Sequence, residues 1–128
     1  MIGEKNLRFQ GKGKDLDQLA QQIEQQLKTE GYKTQSTKAP IGNVIQAQKA
    51  GFLRGIIDAN RAFTIVIAGT PDDFSIHLGV GKWVQNLAVL AAEALLLSVL
   101  FVAVDVPEMI WTEHVENGIA KEITQIVG

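Results

Sequence analysis

Glu93 is the residue whose surroundings most suggest chemistry, because this carboxylate lies inside an otherwise apolar run. A carboxylate buried among apolar side chains must either meet a cation or a hydrogen-bond donor, or hold a proton. The sequence offers three cations that could pair with it, Arg54, Arg61 and Lys82. If Glu93 is buried, it marks a candidate ligand site. The alternative is that this position reaches solvent, in which case there is no site.

A glycine-rich stretch with a lysine, residues 79–82 (GVGK), precedes the apolar run. Glycines allow backbone amides to approach an anion at a helix N-terminus, and a lysine adds positive charge. The phosphate-loop pattern is incomplete, because Trp83 stands where a serine or threonine should bind magnesium. We therefore expect a flexible connection from strand to helix, and we assign Lys82, Trp83 and Glu93 to a candidate site for an apolar ligand.

Neither histidine predicts a catalytic or metal site. His114 lies between Glu113 and Glu116, but on a helix it points about 100° away from Glu113. His77 shares a strand face with Ser75, and no third group is evident to orient the pair. The chain contains no cysteine, which removes thiolate ligands and thiol nucleophiles. We expect a noncatalytic protein that needs neither metal nor cofactor.

Length and composition are those of one globular domain. The chain has 128 residues, of which 46% are hydrophobic and 20% charged, so residues 1–128 are interpreted as a single domain. Residues 1–61 carry a net charge of +4 and residues 62–128 one of −6. A mildly acidic chain disfavours nucleic acid as a partner. The beginning of the sequence lacks the apolar run of a signal peptide, which predicts a location in the cytoplasm or at the inner face of a membrane.

Periodicity predicts five strands and three helices in the order β-α-β-β-β-β-α-α. The first helix is the clearest element, since Asp15 and Gln18 have the spacing of a capping box and Gly31 stands where a left-handed residue ends a helix. Five glutamines of this helix are expected to form a solvated face. The strands are expected at 4–10, 32–38, 44–49, 62–68 and 74–78, with further helices at 87–104 and from Asp105 to Ile126.

This order of elements predicts an α+β fold, an antiparallel sheet with a long apolar C-terminal helix packed on it. In element order it is similar to helix-grip and TATA-box-binding-protein-like domains, in which a curved sheet holds a long C-terminal helix. The similarity implies an architecture and carries no function with it.

The run Leu87–Val104 is apolar at every position except Glu93 and Ser98. A helix that is apolar all round belongs inside protein or in a membrane. Its length of about 27 Å is slightly less than the bilayer core of about 30 Å, but Glu93 makes insertion costly. We expect the sheet, the final helix and a second copy of the chain to cover it, with Leu96, Leu100 and Trp111 at the interface.

A second apolar segment, residues 52–57, contains Phe52 and Leu53 beside Arg54. An apolar tip with a basic rim is typical of a segment that enters an anionic membrane. The alternative is a core strand that crosses a glycine bulge. The sequence thus favours a noncatalytic interaction or apolar-ligand-binding domain that self-associates through its C-terminal helices. The competing hypothesis is a peripheral or inserted membrane protein that uses residues 87–104 and 52–57.

Overall fold

The computed structural model describes residues 4–40, 42–48, 61–83, 87 and 118–128. Within these ranges the chain forms a five-stranded sheet in the order β1-β5-β4-β3-β2, with every neighbouring pair antiparallel, and two helices. The elements are β1 (Glu4–Gln10), α1 (Leu16–Thr29), β2 (Lys33–Ala39), β3 (Gly42–Gln48), β4 (Arg61–Thr70), β5 (Asp73–Lys82) and α2 (residues 118–127). The predicted α+β class and antiparallel sheet are confirmed.

Helix α1 follows the prediction closely. Asp15 caps its N-terminus, because Oδ1 accepts hydrogen bonds from the backbone N–H groups of Asp17 and Gln18 at 3.0 and 3.3 Å. Gly31 ends the helix with a φ of 96°, a value that glycine adopts without steric cost. The five glutamines at positions 18, 21, 22, 25 and 26 are exposed, as expected of a solvated face.

The first face of the sheet carries the main apolar core. Phe74, Ile76 and Leu78 of β5 are all buried, which confirms the inward side predicted from their alternation. Phe74 also stacks on Phe9 of β1, with ring centroids 5.3 Å apart. Both helices cover this face and insert the following buried residues into the same cluster: Leu19, Ala20, Ile23 and Leu27 from α1, and Ile119, Ala120, Ile123 and Val127 from α2.

The central strands are buried on the second face as well. Val44 and Ile45 are adjacent on β3 and therefore point to opposite faces, yet both have no exposed area. Ala62 and Val66 of β4 are equally buried, and none of the second-face residues belongs to the core cluster that contains α1 and α2. Strand β3, predicted to be half polar, is thus shielded from water on both sides.

Strand β5 is longer than its sequence suggested. Residues 79–82 were predicted to connect a strand to a helix, and this was wrong: Gly79 pairs with Thr64 and Lys82 with Arg61 in the β4–β5 ladder. Glycine is a weak strand former, so the stretch resembles a loop when it is considered alone. Pairing along the whole of β4 overrides that local preference and places the GVGK backbone in the sheet.

Two carboxylates on α1 fasten it to the edge strand β2. Glu24 accepts hydrogen bonds from the hydroxyls of Thr34 at 2.9 Å and Ser36 at 2.8 Å. Asp17 lies 3.0 Å from the ammonium group of Lys38. These contacts orient the helix across the first face. They also provide hydrogen-bond partners for the polar side chains that β2 presents to that face.

Several predicted elements fall outside the described residues. They include the 52–57 tip, all of the apolar run after Leu87, and residues 105–117 of the final helix. Leu87 itself is helical and buried, with 4% of its surface exposed. Among the described helices, none combines the length and hydropathy needed to cross a membrane.

Gly42→Ala tests the tight approach of β3 to β4. Gly42 has a φ of +130°, and a Cβ there would overlap the carbonyl oxygen of Ile67 and lie 2.9 Å from its carbonyl carbon. We expect a loss of about 3 kcal/mol in the free energy of unfolding, from backbone strain and overpacking together, measured by urea denaturation. Gly11→Ala is the matched control, since Gly11 has a φ of +70° with open space around its Cβ position. It should cost about 1 kcal/mol, and equal losses for both variants would contradict the clash.

Candidate functional site

A row of polar side chains crosses the buried second face of the sheet. Gln35 Nε2 donates to Gln46 Oε1 at 2.7 Å, and Gln46 Nε2 donates to Thr64 Oγ1 at 3.2 Å. The strand register places these residues directly opposite one another on β2, β3 and β4. Gln46 and Thr64 have no exposed area. Buried polar groups are stable only when they are hydrogen-bonded, and this row satisfies that requirement across three strands.

Small residues continue the row onto β5. Gly79 lies opposite Thr64, and Gly81 lies opposite Ala62, so β5 presents no side chain to the second face at these two positions. Both glycines are buried. A glycine inside a strand commonly marks a place where a ligand or another backbone approaches closely. Here two glycines alternate on one face, which leaves a flat, shielded surface beside a polar row.

Thr64 lies at the β4 end of this row. Its hydroxyl oxygen accepts the hydrogen bond from Gln46 at 3.2 Å, and a threonine hydroxyl can also donate one hydrogen bond. A carbonyl or carboxylate oxygen brought against this face could accept that hydrogen bond.

Trp83 stands at the same end of the sheet. The ammonium group of Lys33 lies 5.0 Å from the centroid of its indole ring, within the range of a cation–π contact. Lys33 begins β2 and Trp83 follows β5, although β4 and β3 lie between these strands in the sheet. Three strand spacings amount to about 14 Å, so the two long side chains together reach across the width of the sheet at this end.

The residues predicted for a ligand site are only partly described. Trp83 is half-buried beside Lys33, and the backbone of Lys82 belongs to β5. Glu93 lies outside the described residues, as do the predicted interface residues Phe52, Leu53, Arg54, Leu96, Leu100 and Trp111. Sequence patterns did not reveal Gln46 or Thr64, because a lone polar residue in a strand normally faces solvent.

The structure describes one of the two histidines, His77, but not His114. His77 and Ser75 lie on the second face and are half-buried, in keeping with their predicted shared side of β5. His114 lies outside the described residues, together with Glu113 and Glu116. In the part of the chain that the structure describes, no group of three or more histidine, aspartate or glutamate side chains is arranged to hold a metal ion.

A pair of carboxylates between α1 and α2 was not foreseen from the sequence. Glu30 caps the C-terminus of α1, where Gln26 Nε2 donates to its Oε2 at 3.0 Å. Burial and a proton shared with Glu30 raise the pKa of Glu122 on α2 to about 7. Burial, together with these two carboxylates, raises the pKa of Tyr32 to about 12. The two glutamates are separated by most of the chain, so no local motif could bring them together.

Comparison with known proteins adds no functional assignment. No protein-family model, curated protein or solved structure matches this chain. The similarity of element order to helix-grip and TATA-box-binding-protein-like domains is therefore unaccompanied by a matching structure.

Thr64→Val tests the buried polar row. Valine has nearly the same shape but cannot accept the hydrogen bond from Gln46, so a buried amide hydrogen loses its partner. We expect the free energy of unfolding to fall by about 1–3 kcal/mol, measured by urea denaturation. Thr37→Val is the control. Thr37 lies on β2 and on the second face of the sheet, as Thr64 does on β4, but it is only half-buried and its hydroxyl makes no hydrogen bond to a described residue. It should change stability by less than about 0.5 kcal/mol, and similar losses would contradict the role of Thr64.

Proposed function

We propose that this chain is a noncatalytic interaction or apolar-ligand-binding domain whose binding element is the second face of its sheet. One observation carries the proposal: Val44, Ala62 and Val66 are shielded from water on that face, although α1 and α2 contribute to the core of the first face. An apolar sheet face is stable only against another apolar layer. The second face is therefore a surface that must be occupied.

The run Leu87–Val104 is the occupant that fits the proposal best. It follows β5 after only four residues, and Leu87 at its start is already buried. As a helix the run would be about 27 Å long, slightly shorter than the roughly 33 Å of a ten-residue strand such as β4, so it can lie along the sheet within the length of its strands. The glycines of β5 would let it approach closely. This is the arrangement of helix-grip and TATA-box-binding-protein-like domains, formed within a single domain of residues 1–128.

If residues 87–104 pack on the second face, Glu93 can bind the polar end of a ligand. In a helix that starts near Leu87 it lies about 9 Å along the axis, facing a layer that contains the hydroxyl of Thr64. A carboxyl group there would accept from Thr64 and hold a polar end of a bound molecule. Trp83 would line the mouth of such a site, whereas the register of β5 gives Lys82 the same alternation as Phe74, Ile76 and Leu78, on the first face. The ligand class that suits these groups is a small apolar molecule with one polar end.

Self-association remains part of the proposal and would use surfaces beyond α2. Ile119, Ile123 and Val127 of α2 are already buried in the core of their own chain. An all-round apolar helix on the second face would still present an uncovered side. Leu96, Leu100 and Trp111 are the residues we propose for contact with a second copy.

Membrane association is the alternative proposal, at the inner face of a membrane or in it. It is supported by the net charge of +4 on residues 1–61, and by the sequence of the 52–57 tip, where Phe52 and Leu53 adjoin Arg54. Basic residues beside apolar ones are attracted to anionic lipid. In this case residues 87–104 would meet lipid on their outer side rather than protein.

Oligomeric state and bound molecules distinguish the two proposals. In light scattering after size exclusion without detergent, we expect a single dimeric species, because the outer side of residues 87–104 would be covered by a second copy. Native mass spectrometry of that species should show a small apolar molecule that leaves on organic extraction. Leu96→Glu should convert the dimer to monomer or reduce its solubility, whereas Gln22→Glu, on the exposed face of α1, should leave it unchanged. Aggregation that only liposomes or detergent relieves would instead support the membrane proposal.

Spin-label distances test where residues 87–104 pack. The chain has no cysteine, so the double variant Ser75→Cys/Ala92→Cys can be labelled cleanly and compared with Gln22→Cys/Ala92→Cys. Ser75 lies on the second face and Gln22 on the outer surface of α1. If the run packs on the second face, the first pair should be closer by about 10 Å, one layer of the fold. The reverse order would place the run elsewhere and remove the basis of the proposal.

A further inference from the structure

The interface between α2 and the rest of the domain contains a buried carboxylate oxygen, Oε2 of Glu122, to which apolar neighbours cannot donate a hydrogen bond. Ile119, Ile123 and Val127 fasten α2 to the core. Glu122 is next to Ile123 on the same helix, and its Oε2 is buried without a hydrogen-bond partner in the described part of the chain. An ionised carboxylate in this position would be poorly solvated and is therefore unfavourable.

The group that faces Glu122 from α1 is a second carboxylate. Glu30 accepts a hydrogen bond from Gln26 through Oε2, and its side chain is hydrogen-bonded to that of Glu122. The described ion pairs, Arg8 with Asp73 and Lys38 with Asp17, leave Glu122 without a cation. Two facing carboxylates are compatible with a close contact only when one of them carries a proton.

The remaining titratable groups near this contact do not relieve it. Tyr32, which leads into β2, faces both carboxylates and is neutral throughout the physiological range, since its pKa is about 12. On α2 itself, Lys121 is exposed, one residue before Glu122. Among the described residues, a proton is thus what makes the contact between the two carboxylates favourable.

We propose that the attachment of α2 is proton-linked: a proton held between Glu122 and Glu30 fastens α2 to the end of α1, and loss of that proton loosens α2. The inference is independent of what occupies the second face of the sheet, because α2 packs on the first. Loosening would expose the apolar side of α2 and the underlying part of the core. The pH would then control how much apolar surface the domain offers to a partner.

The direction of the effect follows from linkage. Burial, followed by the interaction with Glu30, raises the pKa of Glu122 from about 4.5 to about 7 in the folded protein. A carboxyl group with a raised pKa binds more protons in the folded state than in the unfolded state. Its stabilising contribution is therefore complete below the ordinary pKa and declines as the pH rises through 7. This is opposite to the usual behaviour of a carboxylate in an ion pair.

A groove lies between the C-terminal turns of α1 and α2. It has a volume of about 410 Å³ and is lined by Gln22, Gln25, Gln26, Thr29 and Ile126. Gln26 is also the donor to Glu30, so the groove and the carboxylate contact share this residue.

Amide hydrogen exchange of the full chain, followed by NMR and expressed as protection factors, tests the proposal. In the wild type we expect protection of residues 118–127 to fall about tenfold between about pH 5.5 and about pH 8.5, while protection in β4 changes less. In Glu122→Gln the uncharged amide replaces the protonated carboxyl group, and this dependence should disappear. Glu24→Gln is the matched control, because Glu24 is a carboxylate on α1 that binds β2 instead of α2. It should retain the wild-type dependence.

Two results would overturn the proposal. One is a wild type whose protection in α2 does not vary with pH; the other is an unchanged dependence in Glu122→Gln. If that variant fails to fold, the carboxyl carbon of Glu122 in the wild type provides the decision by ¹³C NMR. Titration near 7 that moves down in Glu30→Gln supports the shared proton, and titration near 4.5 in the wild type rejects it.

Discussion

Burial of β3 and β4 on both faces is the constraint on which the rest of this structure depends. Val44 and Ile45 are neighbours on one strand, point in opposite directions, and are both inaccessible to water. A sheet with one wet face would need an alternation of apolar and polar residues on these strands, and β4 instead buries Ala62 to Ile67 continuously. Two apolar layers must therefore enclose the sheet, and α1 and α2 supply one of them.

The polar row within the second face gives this two-sided sheet a unique register. If β3 slipped by one residue against β4, Gln46 would leave its partner Thr64 and turn into the apolar core of the first face. The cost of an unpaired buried amide penalises that slip. The row can thus specify strand alignment even before any ligand is considered. Its glycine-lined end, where side chains are smallest, is also where a bound group can come closest to the backbone.

The first face shows how charge is used where apolar packing ends. Glu24 and Asp17 bind the polar side chains of β2, and the hydrogen bond from Lys38 holds the pKa of the Asp17 carboxyl group below its ordinary value. Glu122, deeper in the interface between the helices, is favoured in its protonated form. The same chemical group therefore fastens both helices, but with opposite dependence on pH, because the degree of burial and the facing partner differ.

The sequence by itself determined the elements whose signals are local. The cap at Asp15, the apolar stripe of α1 and the alternation of Phe74, Ile76 and Leu78 each specify a structure within a few residues. Of the candidate site residues, the sequence suggested Trp83, whose role stays a prediction, and its contact with Lys33 comes from the tertiary structure. Only the tertiary structure decided that residues 79–82 extend β5, that Gln46 and Thr64 are buried together, and that Glu30 meets Glu122. These features depend on which strands and helices become neighbours, and the neighbours are far apart along the chain, where periodicity and capping carry no information.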